Sequence, residues 1–146
     1  MKNVYVQGDW TAAPASGARQ DAALVANYAR FLDAVSASGM RNLATWHHAA
    51  VGVHVHEPST DVLRNTREVD ECQGVVVYLQ RDDPCTKHWS SVATLAYAVG
   101  RGKPCYVLAP RTCVIWQNHF LYHPLIQRRF AEEVSQDDFC ALIPWL

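Results

Sequence analysis

One segment, Gly74–Pro110, constrains the fold of this chain more than any other. Gly74–Leu79 is a continuous apolar run, which predicts a strand covered on both faces. Trp89–Arg101 carries apolar residues at three- and four-residue spacing and predicts a helix, and Cys105–Leu108 predicts a second buried strand. Parallel strands need such a helical crossover, which is right-handed in about 98% of cases. The segment therefore predicts a parallel βαβ unit.

The alternation of strands and helices continues along the rest of the chain. Strand patterns cover Asn3–Gln7 and Asn42–Trp46, and helix patterns run from Asp21 to Gly39, from Ser59 to Cys72 with Val62 on its inner face, and onward from Ser135. No linker or repeat divides the sequence, so residues 1–146 are expected to form a single domain. We predict a three-layer α/β fold of flavodoxin or Rossmann type, with a mainly parallel sheet of four strands in the order 2-1-3-4, or of five strands if one more is added at the edge.

The net charge and hydropathy of the chain exclude some classes of binding partner. The formal net charge is −1, hydrophobic residues make up 49% of the chain, and the sequence contains no basic run. Extended DNA or RNA needs clustered Lys and Arg, so such a partner is not expected. No apolar run reaches the roughly 18 residues of a membrane span, so no membrane partner is expected either. A pocket for one small molecule remains compatible with this composition.

Cysteine usage indicates a compartment. The five cysteines form no Cys-x-x-Cys pair, and Cys105 lies inside an apparent buried strand. Buried thiols that act as small hydrophobes are typical of reducing compartments. The amino-terminal residues MKNVYVQGDW lack the apolar stretch of a signal peptide. We expect a cytoplasmic protein.

The predicted topology indicates where a ligand would bind. In an open parallel sheet the crevice lies at the carboxyl ends of the strands where the strand order reverses, here between the first and third strands. Two loops flank it, Gly8–Thr11 and Gln80–Ser91. The second loop leads into a helix whose free amides would stabilise a phosphate or carboxylate. Ser90 and Ser91 either add hydroxyls to that site or cap the helix.

The order of several short motifs resembles the nucleoside 2-deoxyribosyltransferase-like family. The motifs are VYVQGDWT at Val4–Thr11, the pair Trp46-His47, the helix and strand NTREVDECQGVVVYL, the helix and turn TLAYAVGRGKPCYVL, and the stretch QNHFLYHPLIQRRF at Gln117–Phe130. Each motif is short, and their succession covers most of the chain. The resemblance implies a nucleoside- or nucleotide-handling protein whose inherited chemistry is cleavage or transfer of N-glycosidic bonds.

The resemblance places Thr94 at the position of the family's nucleophilic glutamate, and Thr66 where the family tends to have an aspartate. Threonine carries no charge to stabilise an oxocarbenium-like centre, so the two-carboxylate mechanism is absent if this alignment holds. Asp82 and Asp83 follow the third strand and are the nearest candidates to replace those acids; Asp70 and Glu71 are others. A non-catalytic nucleotide-binding module is therefore the alternative function.

The candidate ligand-binding residues share a place at strand ends or in the flanking loops. They are Gly8, Trp10, Thr11, Trp46, His47, His88, Ser90, Ser91 and, by the resemblance, Asn118. Trp89 also lies near this crevice, and tryptophans there either stack on a nucleobase or pack against the core.

Two ionisable pairs allow other interpretations. His54 and His56 would share one face of a strand and could begin a metal site, but no third ligand has suitable spacing. Cys85 and His88 could form a reactive pair, but no third orienting group follows. We therefore expect no metal and no cofactor. The partners expected are a small-molecule nucleoside or nucleotide and further copies of the chain, in a homodimer or higher oligomer to which Arg128 and Arg129 could contribute.

Overall fold

The computed structural model of the chain describes residues 2–8, 22–44, 58–82 and 87–134. The described residues form one five-stranded sheet in which every pairing is parallel and the order is β2-β1-β3-β4-β5. The strands are β1 Lys2–Gly8, β2 Met40–Asn42, β3 Gly74–Tyr78, β4 Cys105–Ala109 and β5 Ile126–Phe130. The predicted fold class and strand order are confirmed, including the fifth strand at the edge.

Within the described ranges, three helices cover the two faces of this sheet. They are α1 Ala22–Ala37, α2 Pro58–Glu71 and α3 Trp89–Gly100. Short 3₁₀ turns at Val114–Gln117 and His119–Tyr122 carry the chain from β4 to β5, and Ala131–Glu133 follows β5. The helix predicted from Ser135 lies outside the described residues. Among the residues that the structure describes, no helix is long and apolar enough to cross a bilayer.

Strand alternation divides the core into two layers. Val4 and Val6 of β1 pack with α1, whereas Tyr5 packs with α2, α3 and the β4–β5 crossover. Every residue of β3 and β4 is buried, as their continuous apolar sequences predicted. This sandwich places α1 on one face of the sheet and both later helices on the other, as right-handed crossovers require for this strand order.

The second strand lies earlier than predicted. It spans Met40–Asn42 rather than Asn42–Trp46. The Leu43 amide still donates to the Val4 carbonyl at 2.8 Å, but Leu43 and Ala44 are not part of the strand. The side chain of Asn42 explains the stop, because its Oδ1 accepts hydrogen bonds from the backbone amides of Val6 at 3.1 Å and Ala44 at 3.0 Å. A side chain that takes the place of the backbone acceptor ends the ladder.

The inner face predicted for α2 is also partly wrong. Val62 is 60% exposed and Leu63 is 71% exposed, whereas Val69 is buried at 1% exposure. The buried contact of α2 lies toward its carboxyl end, where Val69 and the following Cys72 join the core beneath α3. Periodicity finds which residues share a helix face, but it does not show how far along its length the helix meets the sheet.

The turn after α3 fixes the start of β4. Gly102 has φ +71°, its amide donates to the Val99 carbonyl at 2.9 Å, and the Lys103 amide reaches the Ala98 carbonyl at 2.9 Å. This pair of bonds is a Schellman motif, which favours glycine at the left-handed position. The Lys103 ammonium then donates to the Cys72 carbonyl at 2.7 Å, where α2 passes into β3. The Gly-Lys-Pro sequence therefore ties both helices to the amino edge of the sheet.

Gly8, the last residue of β1, lies where no side chain fits. An added Cβ would come within 2.7 Å of Tyr28 Cδ2 and 2.9 Å of the Tyr78 carbonyl oxygen. Tyr28 is held in place because its hydroxyl donates to the Val6 carbonyl at 3.4 Å and its ring lies parallel to that of Tyr78. Gly8 is thus required for the packing of α1 on the sheet, whatever else it contacts.

Gly8→Ala should destabilise the fold by about 1–3 kcal/mol, because the new methyl overpacks a ring and a carbonyl that cannot both withdraw. Urea unfolding would measure the loss. Gly100→Ala is the matched control, since an added Cβ there meets nothing within 4 Å, and it should be neutral or stabilising by up to about 1 kcal/mol. Equal stability of the two variants would contradict the close packing at Gly8.

Two buried cysteines are chemically inert thiols at neutral pH. Burial, with a smaller contribution from neighbouring Cys72, raises the pKa of Cys105 from 9.0 to about 12. Burial also raises the pKa of Cys72, although Lys103 opposes that shift. The prediction that Cys105 lies in a buried strand is confirmed.

The free energy of unfolding of the wild-type protein should therefore fall more steeply with rising alkaline pH than that of a variant that lacks the Cys105 thiol. The folded-state pKa of Cys105 lies above its unfolded value, so the unfolded chain loses the proton first and the free energy of unfolding falls as pH rises above 9. From pH 8 to pH 10.5 the wild-type protein should lose about 2 kcal/mol more than Cys105→Ala. Urea unfolding across this range measures the difference between the two slopes, and parallel slopes would contradict it.

Candidate functional site

The strand order creates one switch point at the carboxyl edge of the sheet. From β1 the chain passes through α1 to β2 on one side, while β3 lies on the other side and continues through α3 to β4. Connections that leave neighbouring strands on opposite faces open a crevice between them, and ligands of such folds bind there. The first turns of α3 and the last residues of β1 border this crevice.

A neutral hydrogen-bonded cluster joins these two elements. The Thr94 hydroxyl donates to Gln7 Oε1 at 2.7 Å, and Gln7 Nε2 donates to the Ser91 hydroxyl oxygen at 3.4 Å. Gln7 and Ser91 are buried, and Thr94 is half-buried. We call these three residues the amide–hydroxyl cluster. It fixes the start of α3 against the end of β1.

Gln7 was missed as a site residue, although the sequence contains a signal for it. Strand alternation places Gln7 on the same face as buried Tyr5, so its amide has to find partners inside the protein. A polar residue at the last inward-facing position of a buried strand indicates a polar contact at the carboxyl edge. Ser91 and Thr94, which were predicted here, supply that contact from α3.

The hydrogen bond to Gln7 defines what Thr94 can do. Its hydroxyl is a neutral donor to the amide oxygen, so it brings no negative charge to the crevice. A hydroxyl becomes a nucleophile when an adjacent base accepts its proton, and a carboxamide is not such a base. The position that the resemblance equates with the family nucleophile thus holds a neutral hydroxyl that is already hydrogen-bonded to Gln7.

The amino terminus of α3 has an unusual cap. His88 occupies the cap position with φ 56° and ψ 43°, and its side chain makes no capping hydrogen bond. Ser90 and Ser91 lie within the first turn, so the interpretation that one of them caps the helix is wrong. Ser90 is exposed and Ser91 is buried. The first amides of the helix therefore face the carboxyl edge of the sheet without a side-chain cap from His88.

Trp89 begins α3 and presents its indole to solvent. It is 70% exposed, which is unusual for a tryptophan beside a buried histidine and a buried serine. The interpretation that Trp89 packs in the core is therefore excluded. The exposed ring at the start of this helix presents a flat apolar surface to solvent.

On the other side of α3, three ionisable side chains come together. A carboxylate oxygen of Asp82, a ring nitrogen of His88 and the Sγ of Cys113 all lie within 4.8 Å of one another. Asp82 Oδ1 also accepts the backbone amide of Val114 at 2.9 Å. Asp82 thus faces the loop after β4. Cys113 had no predicted role here, although its place four residues after a buried strand put it at the carboxyl edge.

Three other residues that the sequence indicated as candidates for the site make local hydrogen bonds elsewhere. The Thr66 hydroxyl donates within α2 to the Val62 carbonyl at 3.0 Å. Asn118 Oδ1 accepts the Phe120 amide at 3.0 Å and caps a 3₁₀ turn. Asp70 accepts from Arg101 Nε at 2.8 Å, beside the Schellman turn at the opposite edge of the sheet. Asp70 therefore cannot act in the crevice.

Several predicted residues lie outside the described ranges. They are Trp10, Thr11, Trp46, His47, Asp83, and also Cys85, His54 and His56. Arg128 and Arg129 are exposed on the edge strand β5, and the Arg128 guanidinium lies 3.9 Å from the centre of the Tyr122 ring.

Comparison with known proteins assigns no family, since no protein-family model and no curated protein matches the chain. The resemblance to nucleoside 2-deoxyribosyltransferases therefore stays a prediction.

Gln7→Leu should destabilise the protein by about 1–3 kcal/mol, because it leaves the buried Ser91 hydroxyl without its amide partner. Adding Ser91→Ala to that variant should raise the free energy of unfolding again by about 1 kcal/mol, because the double variant no longer buries an unpaired hydroxyl. Urea unfolding of both single variants and the double variant completes the cycle. Gln127→Leu, at an exposed position of β5, is the control and should change little. Strict additivity would argue against the amide–hydroxyl cluster.

Proposed function

We propose that the protein binds a nucleoside or nucleotide in the crevice between β1 and α3 and does not cleave it by a two-carboxylate mechanism. The observation that supports this most is the amide–hydroxyl cluster at the switch point. It puts neutral donors and acceptors where the resembling family would carry a charged nucleophile. Recognition of a sugar needs such groups, whereas covalent attack on its anomeric carbon needs a carboxylate.

The half-buried Thr94 is the member of the cluster best suited to a ligand. Its hydroxyl oxygen keeps lone pairs free while its proton goes to Gln7 at 2.7 Å. A sugar hydroxyl could donate to that oxygen. Gln7 and Ser91 are buried and would act as positioning residues that hold Thr94 in one rotamer.

The start of α3 supports a nucleotide as well as a nucleoside. Amides of the first turn and the positive end of the helix dipole favour a phosphate. The exposed Trp89 ring would then serve as the stacking surface for the base. Stacking on an aromatic side chain is worth about 1–3 kcal/mol per base.

A thermal-shift series with nucleosides and their 5′-monophosphates tests this proposal. A ligand at about one hundred times its dissociation constant should raise the free energy of unfolding by about 2.7 kcal/mol. Trp89→Ala should weaken binding by about 1–3 kcal/mol, and Thr94→Val should weaken it by about 1 kcal/mol. Tyr122→Ala is the matched control, because Tyr122 is a similarly exposed ring on the β4–β5 crossover.

Chromatography for free base on the same samples separates binding from turnover. The wild-type protein should bind without releasing base, and Thr94→Glu should release a little, because Gln7 Nε2 could orient the new carboxylate toward the sugar. Absence of stabilisation by every compound would refute the proposed ligand class. Rapid base release by the wild-type protein would show that another acid is the catalyst and would refute the binding-module function.

A further inference from the structure

We propose that Asp82, His88 and Cys113 form a binding site for a divalent cation of the zinc class. We call these three residues the edge triad. They lie at the carboxyl ends of β3 and β4, on the far side of the α3 terminus from the amide–hydroxyl cluster. One oxygen, one nitrogen and one sulfur there lie within 4.8 Å of one another.

His88 gives an independent reason to expect a ligand. It is only 6% exposed, and its Nε2 has no hydrogen-bond partner among the described residues. A buried ring nitrogen without a partner destabilises the fold, so such groups in folded proteins are generally satisfied. A cation bound to Nε2 would give this nitrogen a partner.

The backbone holds each member of the edge triad in place. Asp82 accepts the Val114 amide at 2.9 Å, which joins the loop after β3 to the loop after β4. The Cys113 amide donates to the Pro110 carbonyl at 2.9 Å, and its carbonyl accepts the Trp116 amide at 3.2 Å. His88 is fixed as the cap of α3. Three separate segments thus bring their donor atoms to one point, which reduces the entropy lost when a metal binds.

The shape of the triad favours a metal over a proton relay. In a Cys–His–Asp relay the thiol and the carboxylate contact opposite nitrogens of the ring, so the imidazole separates them. Here the carboxylate oxygen and the Sγ lie within 4.8 Å of each other as well as of a single ring nitrogen. Three donor atoms at the corners of a small triangle can share one ion, at bond lengths of about 2.0–2.3 Å, after small side-chain movements.

The donor set points to zinc rather than to magnesium or calcium. Hard cations take oxygen ligands, whereas a thiolate together with an imidazole is typical of zinc. Cys113 now donates its thiol proton toward the Arg81 carbonyl at 3.9 Å, and metal binding would release that proton to solvent. The resulting thiolate and the Asp82 carboxylate would together balance the charge of a dication. Three protein ligands leave a fourth position open to water or to a ligand in the adjacent crevice.

Titration of the chelator-treated full-length protein with Co²⁺ and Zn²⁺ under reducing conditions tests the proposal. Co²⁺ should bind with one equivalent per chain and give a thiolate-to-cobalt charge-transfer band, together with the intense visible bands of a four-coordinate ion. Zn²⁺ should displace it. The titration requires no nucleoside, so its result is independent of the function proposed above.

Substitution of any one residue of the edge triad should weaken metal binding by about tenfold or more. Cys113→Ser should also abolish the charge-transfer band. Asp82→Asn is the variant safest for folding, because Asp82 is exposed and the amide oxygen can still accept from Val114. Cys105→Ala and His119→Asn are matched controls at a buried thiol and an exposed imidazole outside the triad, and they should bind Co²⁺ like the wild-type protein.

Any of four results would overturn the proposal. The first is the absence of a cobalt spectrum from the folded wild-type protein. The second is an unchanged affinity in Asp82→Asn. The third is loss of the charge-transfer band in Cys85→Ser while Cys113→Ser retains it. The fourth is rapid alkylation of Cys113 by iodoacetamide at neutral pH that depends on His88, in a protein that binds no metal. That last result would identify the triad as a reactive Cys–His pair.

Discussion

The hydrogen bond between Thr94 and Gln7 is the contact on which the carboxyl edge of this protein depends. Two faces of apolar packing hold the sheet together, but they do not fix how α3 begins. The Gln7 amide does so, because it accepts from Thr94 and donates to Ser91 one turn earlier. A buried carboxamide has to be satisfied, so the position of α3 is tied to the end of β1 more strictly than hydrophobic contact would require.

The start of α3 therefore lies between two groups of residues with different chemistry. Toward β1 lies the neutral amide–hydroxyl cluster, and toward β4 lies the ionisable edge triad. Ser91 of the first group and His88 of the second are both buried and lie within one helical turn of each other. A shift of α3 along the sheet would therefore change both groups together. If both proposed sites bind ligands, binding at one should be coupled to binding at the other to the extent that either ligand fixes this turn.

The sequence was sufficient to predict the layers, strand order and parallel pairing, because continuous apolar strands and helical periodicity depend on burial alone. It misplaced β2, because the Asn42 side chain ends the strand through a contact with Val6 that no local pattern encodes. The positions of Ser91 and Thr94 beside the end of β1 followed from topology. Gln7 was missed because its partner Ser91 is 84 positions away in the sequence. Cys113 was missed because its neighbours in the edge triad are 25 or more positions away. These segments meet only after folding.

The cap of α3 shows why local rules fail at this site in particular. Serine is a common cap, and two serines stand at the predicted boundary, yet His88 takes the cap position in a left-handed conformation without a capping bond. Such a conformation costs on the order of 1–3 kcal/mol for a residue that is not glycine, and Lys87 shares it with φ 52°. The fold thus gives up the stabilisation of a serine cap, leaves the helix amides open and turns an imidazole inward. Each of these losses to local stability would favour the binding proposed for this edge, and functional edges are where sequence preference and structure are expected to disagree.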